Sequence, residues 1–255
     1  MENEKILEIK KHFADRSNIY DELGTWVNND TILSSILSCL PTSPNQTLNI
    51  IDLGAGTGAV SKYILKNYQF DKCITAVDIC EEMLSQITDK GINKCIADIE
   101  ILPFSNDSFD VVISRQCLHY IEQLKNVTYE IKRILRGNGI FVLSQIIPIK
   151  NVEEDYWRKL IKFRQPLRKQ FLNEEDWIRT FSSEGFMPIS VERFSHRSSI
   201  KKWVNKYKIN NQPLIDEYKK LLITAPSSFI DAYNVSLNDD DVCYNSFWIV
   251  VKFSI

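Results

Sequence analysis

A glycine-rich loop between an apolar strand and a helix constrains this chain more than any other feature. Residues 48–53 predict a buried strand, residues 54–59 read Gly-Ala-Gly-Thr-Gly-Ala, and a helical stretch at 60–67 follows at once. Glycines let a ligand approach bare backbone, and the first turn of a helix offers unpaired N–H groups. The pattern predicts a strand–loop–helix unit that binds a nucleotide-like cofactor.

Strands and helices alternate from residue 48 onward. Apolar runs predict five strands in this part of the chain, at residues 48–53, 73–77, 93–97, 109–114 and 140–147. The runs are continuous rather than alternating, which is typical of a parallel sheet buried on both faces. The alternation of strands with helices predicts a doubly wound α/β fold.

The order of these elements predicts three parts of the chain. Residues 1–47 are expected to form an N-terminal helical lid, and residues 48–148 the cofactor-binding α/β core. Residues 149–255 are expected to complete the core with strands near 187–194 and 244–253. Helical cap insertions are predicted near 153–171 and 196–242, because these stretches are too long for simple connections.

Composition excludes several classes of function. The formal net charge is −2, and no RNA-binding module is recognisable, so a nucleic-acid partner is not expected. The six cysteines are scattered without metal-ligand spacing, which favours reduced thiols and no metal site. With no signal peptide and no apolar run near the roughly 18 residues of a membrane span, a cytoplasmic protein without a membrane partner is expected.

Two cofactors compete for the glycine loop. The loop satisfies the dinucleotide pattern G-x-G-x-x-G/A, and Asp78, at the end of the second strand, suits a ribose diol in either NAD or S-adenosylmethionine. Asp52 favours S-adenosylmethionine, because a carboxylate repels a pyrophosphate but attracts an ammonium and a sulfonium. A role for Asp52 in capping the loop is the alternative.

Two later segments also bear on the cofactor. Asp98 follows the third strand and can accept a hydrogen bond from an adenine amine, with Ile99 packed on the ring, although Asp98 could instead cap a turn. The segment 114–120, Ser-Arg-Gln-Cys-Leu-His-Tyr, follows the fourth strand. Ligands of open α/β sheets bind beyond the carboxyl ends of the strands, so this segment should border the transferable group.

Five motifs in fixed order resemble one family. They are IIDLGAGTG, AVDICEEML, ADIEILPFSNDSFDVVIS, QCLHYI and EIKRILRGNGIFVLSQ. Together they resemble the Rossmann-like (class I) S-adenosylmethionine-dependent methyltransferases, especially the ubiquinone/menaquinone and malonyl-carrier-protein group, over residues 20–147. The resemblance implies a mostly parallel, seven-stranded sheet whose last strand, at 244–253, is antiparallel, with helical cap insertions. One departure is the segment Gly137-Asn138-Gly139, where the family usually has Pro-Gly-Gly.

The resemblance also implies a set of cofactor-binding residues. They are Tyr20, Asp52, Gly54, Ala55, Gly56, Asp78, Ile79, Met83, Asp98, Ile99 and Gln116. Asp52, Gly54 and Gly56 would surround the methionine part, and Asp78 would bind the ribose.

The adenine and the sulfonium would be bound farther along the chain. Ile79 would flank the adenine, and Asp98 and Ile99 would hold it. Gln116 would lie near the sulfonium, and Tyr20 would close over the cofactor. Packing of an N-terminal helix is the alternative role of Tyr20.

Methyl transfer mainly requires orientation of the acceptor and exclusion of water. An acceptor that begins protonated also needs a base, and His119 is the candidate because it follows the fourth strand and its pKa suits the task. A structural histidine is the alternative. The hypothesis of a base predicts that His119→Ala lowers turnover and leaves cofactor affinity unchanged.

The acceptor is the open question, since the aromatic and basic segment after residue 148 is the least readable. The favoured function is methyl transfer to an O, N or C atom of a small molecule under the predicted cap. The second is methylation of an acyl group bound to an acyl carrier protein, or of another anionic macromolecule, because basic residues concentrate in 158–169. The third is a non-catalytic cofactor-binding protein.

Overall fold

A computed structural model describes residues 4–23, 26–41, 47–68, 73–202, 212–238 and 241–255 of the protein. The helices are α1 (Glu4–Ala14), α2 (Tyr20–Leu23), α3 (Asp30–Ser38), α4 (Ala59–Asn67), α5 (Glu81–Ser85), α6 (Leu124–Ile134), α7 (Glu154–Arg164), α8 (Glu174–Ser182), α9 (Gln212–Ile223) and α10 (Ser227–Ala232). The strands are β1 (Ile50–Leu53), β2 (Ile74–Asp78), β3 (Ile92–Ile96), β4 (Phe109–Arg115), β5 (Leu135–Ile147), β6 (Met187–Ser199), β7 (Ser236–Asn238) and β8 (Asp241–Ser254).

One mixed sheet contains all of these strands, in the order β3-β2-β1-β4-β5-β8-β6. Strands β1 to β5 pair in parallel, whereas β8 pairs antiparallel with both β5 and β6. The prediction of a mostly parallel sheet with an antiparallel last strand is therefore confirmed. The eighth strand within the described residues is the short β7, which forms a hairpin with β8 and pairs Ser236 with Cys243.

Helices cover both faces of the sheet, and neighbouring residues of a strand enter opposite cores. Ile50 belongs to the core beneath α3, α4, α7 and α9, whereas Ile51 belongs to the core beneath α6 and α8. All four residues of β1 are buried, as expected for a parallel strand with helices on both faces.

Two helices begin with asparagine caps. The side chain of Asn173 accepts a hydrogen bond from the backbone N–H of Asp176 at 3.1 Å, and Asn29 does the same for Ile32. These contacts satisfy N–H groups that lack a partner inside the helix.

The region after residue 148 differs in detail from the sequence expectation. Within the helical insertion predicted near 153–171, whose sequence allows an interruption near Pro166, the helix ends at Arg164. The strand predicted at 187–194 continues to Ser199, because β8 is long enough to pair with it throughout. Of the predicted 196–242 insertion, residues 203–211 and 239–240 lie outside the described residues. The three-part division of the chain stays a prediction. Among the helices of the described segments, none is long and apolar enough to cross a membrane.

Candidate cofactor and acceptor site

A cavity of about 350 Å³ opens where the parallel strands end. Its volume lies within the range of small-molecule sites. Ten of the predicted residues line it, namely Tyr20, Asp52, Gly54, Ala55, Asp78, Ile79, Met83, Asp98, Ile99 and Gln116. Gly56 is absent from the lining, but its backbone N–H donates to the Asp78 carboxylate at 2.8 Å. The structure therefore brings the sequence-predicted set together at one place.

The turn between β1 and α4 requires glycine. Gly54, Gly56 and Gly58 have φ values of 69°, 57° and 81°, in the left-handed region that favours glycine. A Cβ atom on Gly54 would also lie 2.2 Å from the Sγ atom of Cys117, which lines the cavity. Glycine at position 54 thus lets the loop and the end of β4 approach each other.

Asp78 ends β2, and its carboxylate is fixed by the backbone. One oxygen accepts the hydrogen bond from Gly56, and the other accepts one from the N–H of Cys80 at 2.9 Å. Burial raises the pKa of Asp78, and the backbone hydrogen bonds oppose that rise. Each carboxylate oxygen still has capacity for a further donor, such as a hydroxyl group of a ligand.

Asp52 is almost fully buried beside the first turns of α4. Its carboxylate accepts a hydrogen bond from the hydroxyl of Ser61 at 2.8 Å. Burial raises the pKa of Asp52 to about 6, and the bond to Ser61 and the charge of Arg115 oppose that rise. Asp52 therefore contacts helix α4 while also lining the cavity.

The two remaining polar residues of the predicted set differ in their contacts. Asp98 caps a turn, since its carboxylate accepts a hydrogen bond from the N–H of Glu100 at 2.9 Å, and it also lines the cavity. Gln116 has a positive φ of 54°, which is uncommon for this residue type. The Nε2 atom of Gln116 is buried and has no hydrogen-bond partner within the described part of the chain. A buried orphan donor at a cavity wall fits a site that a ligand completes.

The N-terminal segment forms the opposite wall. Helix α1 contributes Ile6, Ile9 and Phe13, and the Phe13 ring makes edge contacts with Tyr20 and Tyr120 at centroid distances of 6.3 Å and 5.4 Å. Tyr20 thus packs against the N-terminal helix and also lines the cavity. No described residue of the predicted 196–242 insertion is among the lining residues.

His119 does not line the cavity, contrary to the position expected for a general base. Its side chain is fully buried, and Nδ1 lies 2.9 Å from the amide oxygen of Gln145. Burial lowers the pKa of His119 well below its usual value. Tyr120, whose ring centroid is 4.2 Å from that of His119, lines the cavity instead. The structure therefore favours the alternative of a structural histidine.

Sequence reasoning missed Arg115, Trp26 and the apolar face of α1. Arg115 lies in the segment singled out after the fourth strand, but no role was assigned to it. The amphipathic pattern of α1 predicted a helix without indicating what its apolar side contacts. Within the described residues, no group of three or more His, Cys, Asp and Glu side chains could hold a metal ion.

The mixed sheet and its cavity are consistent with the class I methyltransferase fold, and a family comparison points the same way. Residues 51–143 match the family model described as "Methyltransferase domain". This stretch runs from β1 into β5 and includes the glycine loop, Asp78 and Asp98. This part of the chain is therefore similar to a methyltransferase domain.

Similar proteins extend the comparison. The chain is 24% identical over 62% of its length to the uncharacterized methyltransferase YcgJ of Bacillus subtilis, covering 64% of that protein. It is 26% identical to a malonyl-[acyl-carrier protein] O-methyltransferase of Halorhodospira halophila, covering 55% of this chain and 48% of the relative. It is 27% identical to a 2-methyl-6-phytyl-1,4-hydroquinone methyltransferase of rice, and this match covers 57% of this chain and 43% of the relative. The matches thus span less than two thirds of each relative.

Solved structures share the whole architecture. One from Bacillus halodurans superposes with a TM-score of 0.79 at 17% identity, covering 88% of this chain and 98% of its own. The structure of YcgJ from Bacillus subtilis gives 0.75 at 18% identity, with coverage of 87% and 96%. At these identities, the likeness establishes the fold alone.

Proposed function

We propose that this protein is an S-adenosylmethionine-dependent methyltransferase that acts on a small-molecule acceptor. The observation that supports it most is the cavity at the ends of β1, β2 and β4, where a glycine loop and three separate acids converge within the stretch that is similar to a methyltransferase domain. A pyrophosphate would lie against the carboxylate of Asp52, which disfavours a dinucleotide.

The residues present fit S-adenosylmethionine. Asp78 is positioned to bind the ribose hydroxyls, Asp98 and Ile99 to hold the adenine, and Asp52 to attract the ammonium of the methionine part. Ile79 and Met83 line the wall between these acids, and Gln116 offers its orphan amide donor. When bound, the cofactor supplies an electrophilic methyl group on a cationic sulfur.

The acceptor is expected to bind against the N-terminal wall. Ile6, Ile9, Phe13 and Tyr120 make this side of the cavity apolar and aromatic. Such a wall favours an apolar or aromatic acceptor and excludes water from the reacting atoms. The main contribution of the protein to rate is then orientation of the acceptor towards the methyl group, because displacement from a sulfonium has a good leaving group.

A carrier-bound acyl group is the second candidate acceptor. Lys169 lies at the cavity, and helix α7 exposes Arg158, Lys159 and Lys162. Basic side chains near a cavity attract an acidic partner. A malonyl-[acyl-carrier protein] O-methyltransferase is among the similar proteins, which is consistent with this alternative.

Transfer of a labelled methyl group tests both candidates. The protein is incubated with methyl-labelled S-adenosylmethionine and an extract of its source cells, and the products are separated by size. Label in the low-molecular-weight fraction is the expected result. Label on a protein of carrier size would favour the second candidate. Binding of the cofactor without transfer to any fraction would contradict both and favour a non-catalytic protein.

A further inference from the structure

Arg115 is a cation whose charge acts on Asp52, and it lines the same cavity. It is the last residue of β4, so its side chain starts at the carboxyl end of the sheet. One guanidinium N–H donates to the carbonyl oxygen of Val27 at 2.8 Å. The guanidinium carbon also lies 5.6 Å from the ring centroid of Trp26, within the range of a cation–π contact.

Most of the donors of Arg115 have no partner among the described residues. A guanidinium has five N–H donors, and the bond to Val27 is the one that this side chain makes to the described residues. Arg115 and Asp52 attract each other electrostatically but form no ion pair in the described part of the chain. Asp21 and Tyr20 also act on the charge of Arg115, but the guanidinium forms no ion pair among the described residues, so an anionic ligand that paired with it would stabilise this arrangement.

One end of the cavity therefore presents a carboxylate and a guanidinium that are not paired with each other. Thr57, Ala59 and Val60, where helix α4 begins, line the same cavity. A ligand with an ammonium and a carboxylate on one carbon would complement both charges. The amino-acid part of S-adenosylmethionine has these two groups.

We propose that Arg115 binds the α-carboxylate of the methionine part of S-adenosylmethionine, while Asp52 attracts its α-ammonium. The inference rests on the proposed function. Arginine suits this role because its planar N–H fork can bind a carboxylate through two hydrogen bonds. Arg115 is then a cofactor-binding residue that also contacts Trp26 and Val27 of the N-terminal segment.

The proposed contact can be tested without changing the protein, by using a ligand that lacks the carboxylate. Calorimetry of the wild-type protein compares S-adenosylhomocysteine with its decarboxylated analogue, which keeps the amine. We expect the analogue to bind about 10- to 100-fold more weakly, the range of a hydrogen bond to a charged group. Equal affinity for the two ligands would overturn the proposal without any variant.

Substitution of Arg115 tests the same contact from the side of the protein, with the same two ligands. Arg115→Met should weaken the binding of S-adenosylhomocysteine by about 10- to 100-fold. The affinity of this variant for the decarboxylated analogue should stay within about twofold of the wild-type value. Arg115→Lys should lose less affinity for S-adenosylhomocysteine than Arg115→Met, because lysine keeps the positive charge but lacks the planar N–H fork of arginine. Arg193→Met is the control, since it removes one exposed arginine from β6, far along the sheet from β4.

The outcomes separate the possible roles of Arg115. Equal weakening of both ligands would show that Arg115 only clamps the N-terminal segment, and would overturn the proposal. If Arg115→Met binds both ligands as tightly as the wild-type protein does, Arg115 would instead serve an anionic acceptor, and the proposal would also be overturned. If the wild-type protein binds neither ligand, the proposed function itself fails, which is distinct from failure at Arg115.

Discussion

At the scale of single residues, the cavity wall combines acids at the ends of strands with an arginine that contacts the N-terminal segment. Asp78 and Asp98 follow apolar runs, and the carboxyl ends of parallel strands meet at one edge, so their positions follow from local pattern. The contact between Arg115 and Val27 depends instead on where the N-terminal segment lies. No local pattern in either segment encodes that contact.

His119 shows how burial changes the role expected from position. The segment that follows helix α7 covers it, because the backbone N–H groups of Lys169 and Gln170 donate to the His119 carbonyl oxygen at 2.8 Å and 3.0 Å. That cover comes from residues about fifty positions later in the chain. The sequence placed His119 after the right strand but gave no sign of this cover.

A structural His119 predicts a specific pH dependence of stability. Burial lowers the pKa of the folded side chain below the usual 6.5, so below that pH the unfolded chain binds a proton that the folded chain does not. Stability from this source is fully present above pH 6.5 and is lost as the pH falls. His119→Gln should make the loss of unfolding free energy between about pH 6.5 and 5 shallower, as measured by denaturation at each pH.

The same variant separates the two roles of His119. Turnover of His119→Gln, corrected for the folded fraction, should stay within about twofold of wild type, because the side chain does not reach the cavity. A loss of more than about a hundredfold in a fully folded variant is the size expected for removal of a general base. That result would contradict the structural role.

At the scale of elements, the strand–loop–helix unit was readable because each part has its own local signal. Continuous apolar residues indicate β1, glycines indicate a turn with positive φ, and the helix follows immediately. The wall formed by α1 was not readable. Its amphipathic pattern predicts a helix with one apolar side, but any apolar surface could cover that side.

Gly54→Ala tests the need for glycine in the loop. The methyl group would clash with Cys117, and alanine disfavours the φ of 69°. We expect binding of S-adenosylhomocysteine to weaken by at least about tenfold, because the loop must shift into the cavity or away from it. Calorimetry measures the change.

Gly137→Ala is the matched control. A Cβ atom there would meet nothing within 4 Å, and Gly137 has no positive φ. This variant should bind S-adenosylhomocysteine as the wild-type protein does. Equal affinity of Gly54→Ala and the wild-type protein for S-adenosylhomocysteine would show that the loop tolerates a side chain at position 54. That result would contradict the requirement for glycine there.

At the scale of the whole molecule, the sheet could be predicted and the enclosure of the cavity could not. Alternating strands and helices specify the parallel sheet, and the last apolar run specifies the closing strand β8. The expected lid and cap depended on long-range packing. In the structure, the N-terminal segment lines the cavity, while α9 and α10 pack on the core beside α7. Local sequence patterns do not specify which helix covers which end of a sheet.

Because the fold brings the acids at the strand ends to one cavity, we expect this cavity to bind S-adenosylmethionine through them. Titration calorimetry of S-adenosylhomocysteine into the wild-type protein and Asp78→Ala tests it most directly, with Asp176→Ala as a control acid on the exposed side of α8. We expect one bound ligand per chain for the wild-type protein and the control, and affinity at least about tenfold weaker for Asp78→Ala. Absence of binding to the wild-type protein, or equal binding to all three proteins, would contradict it.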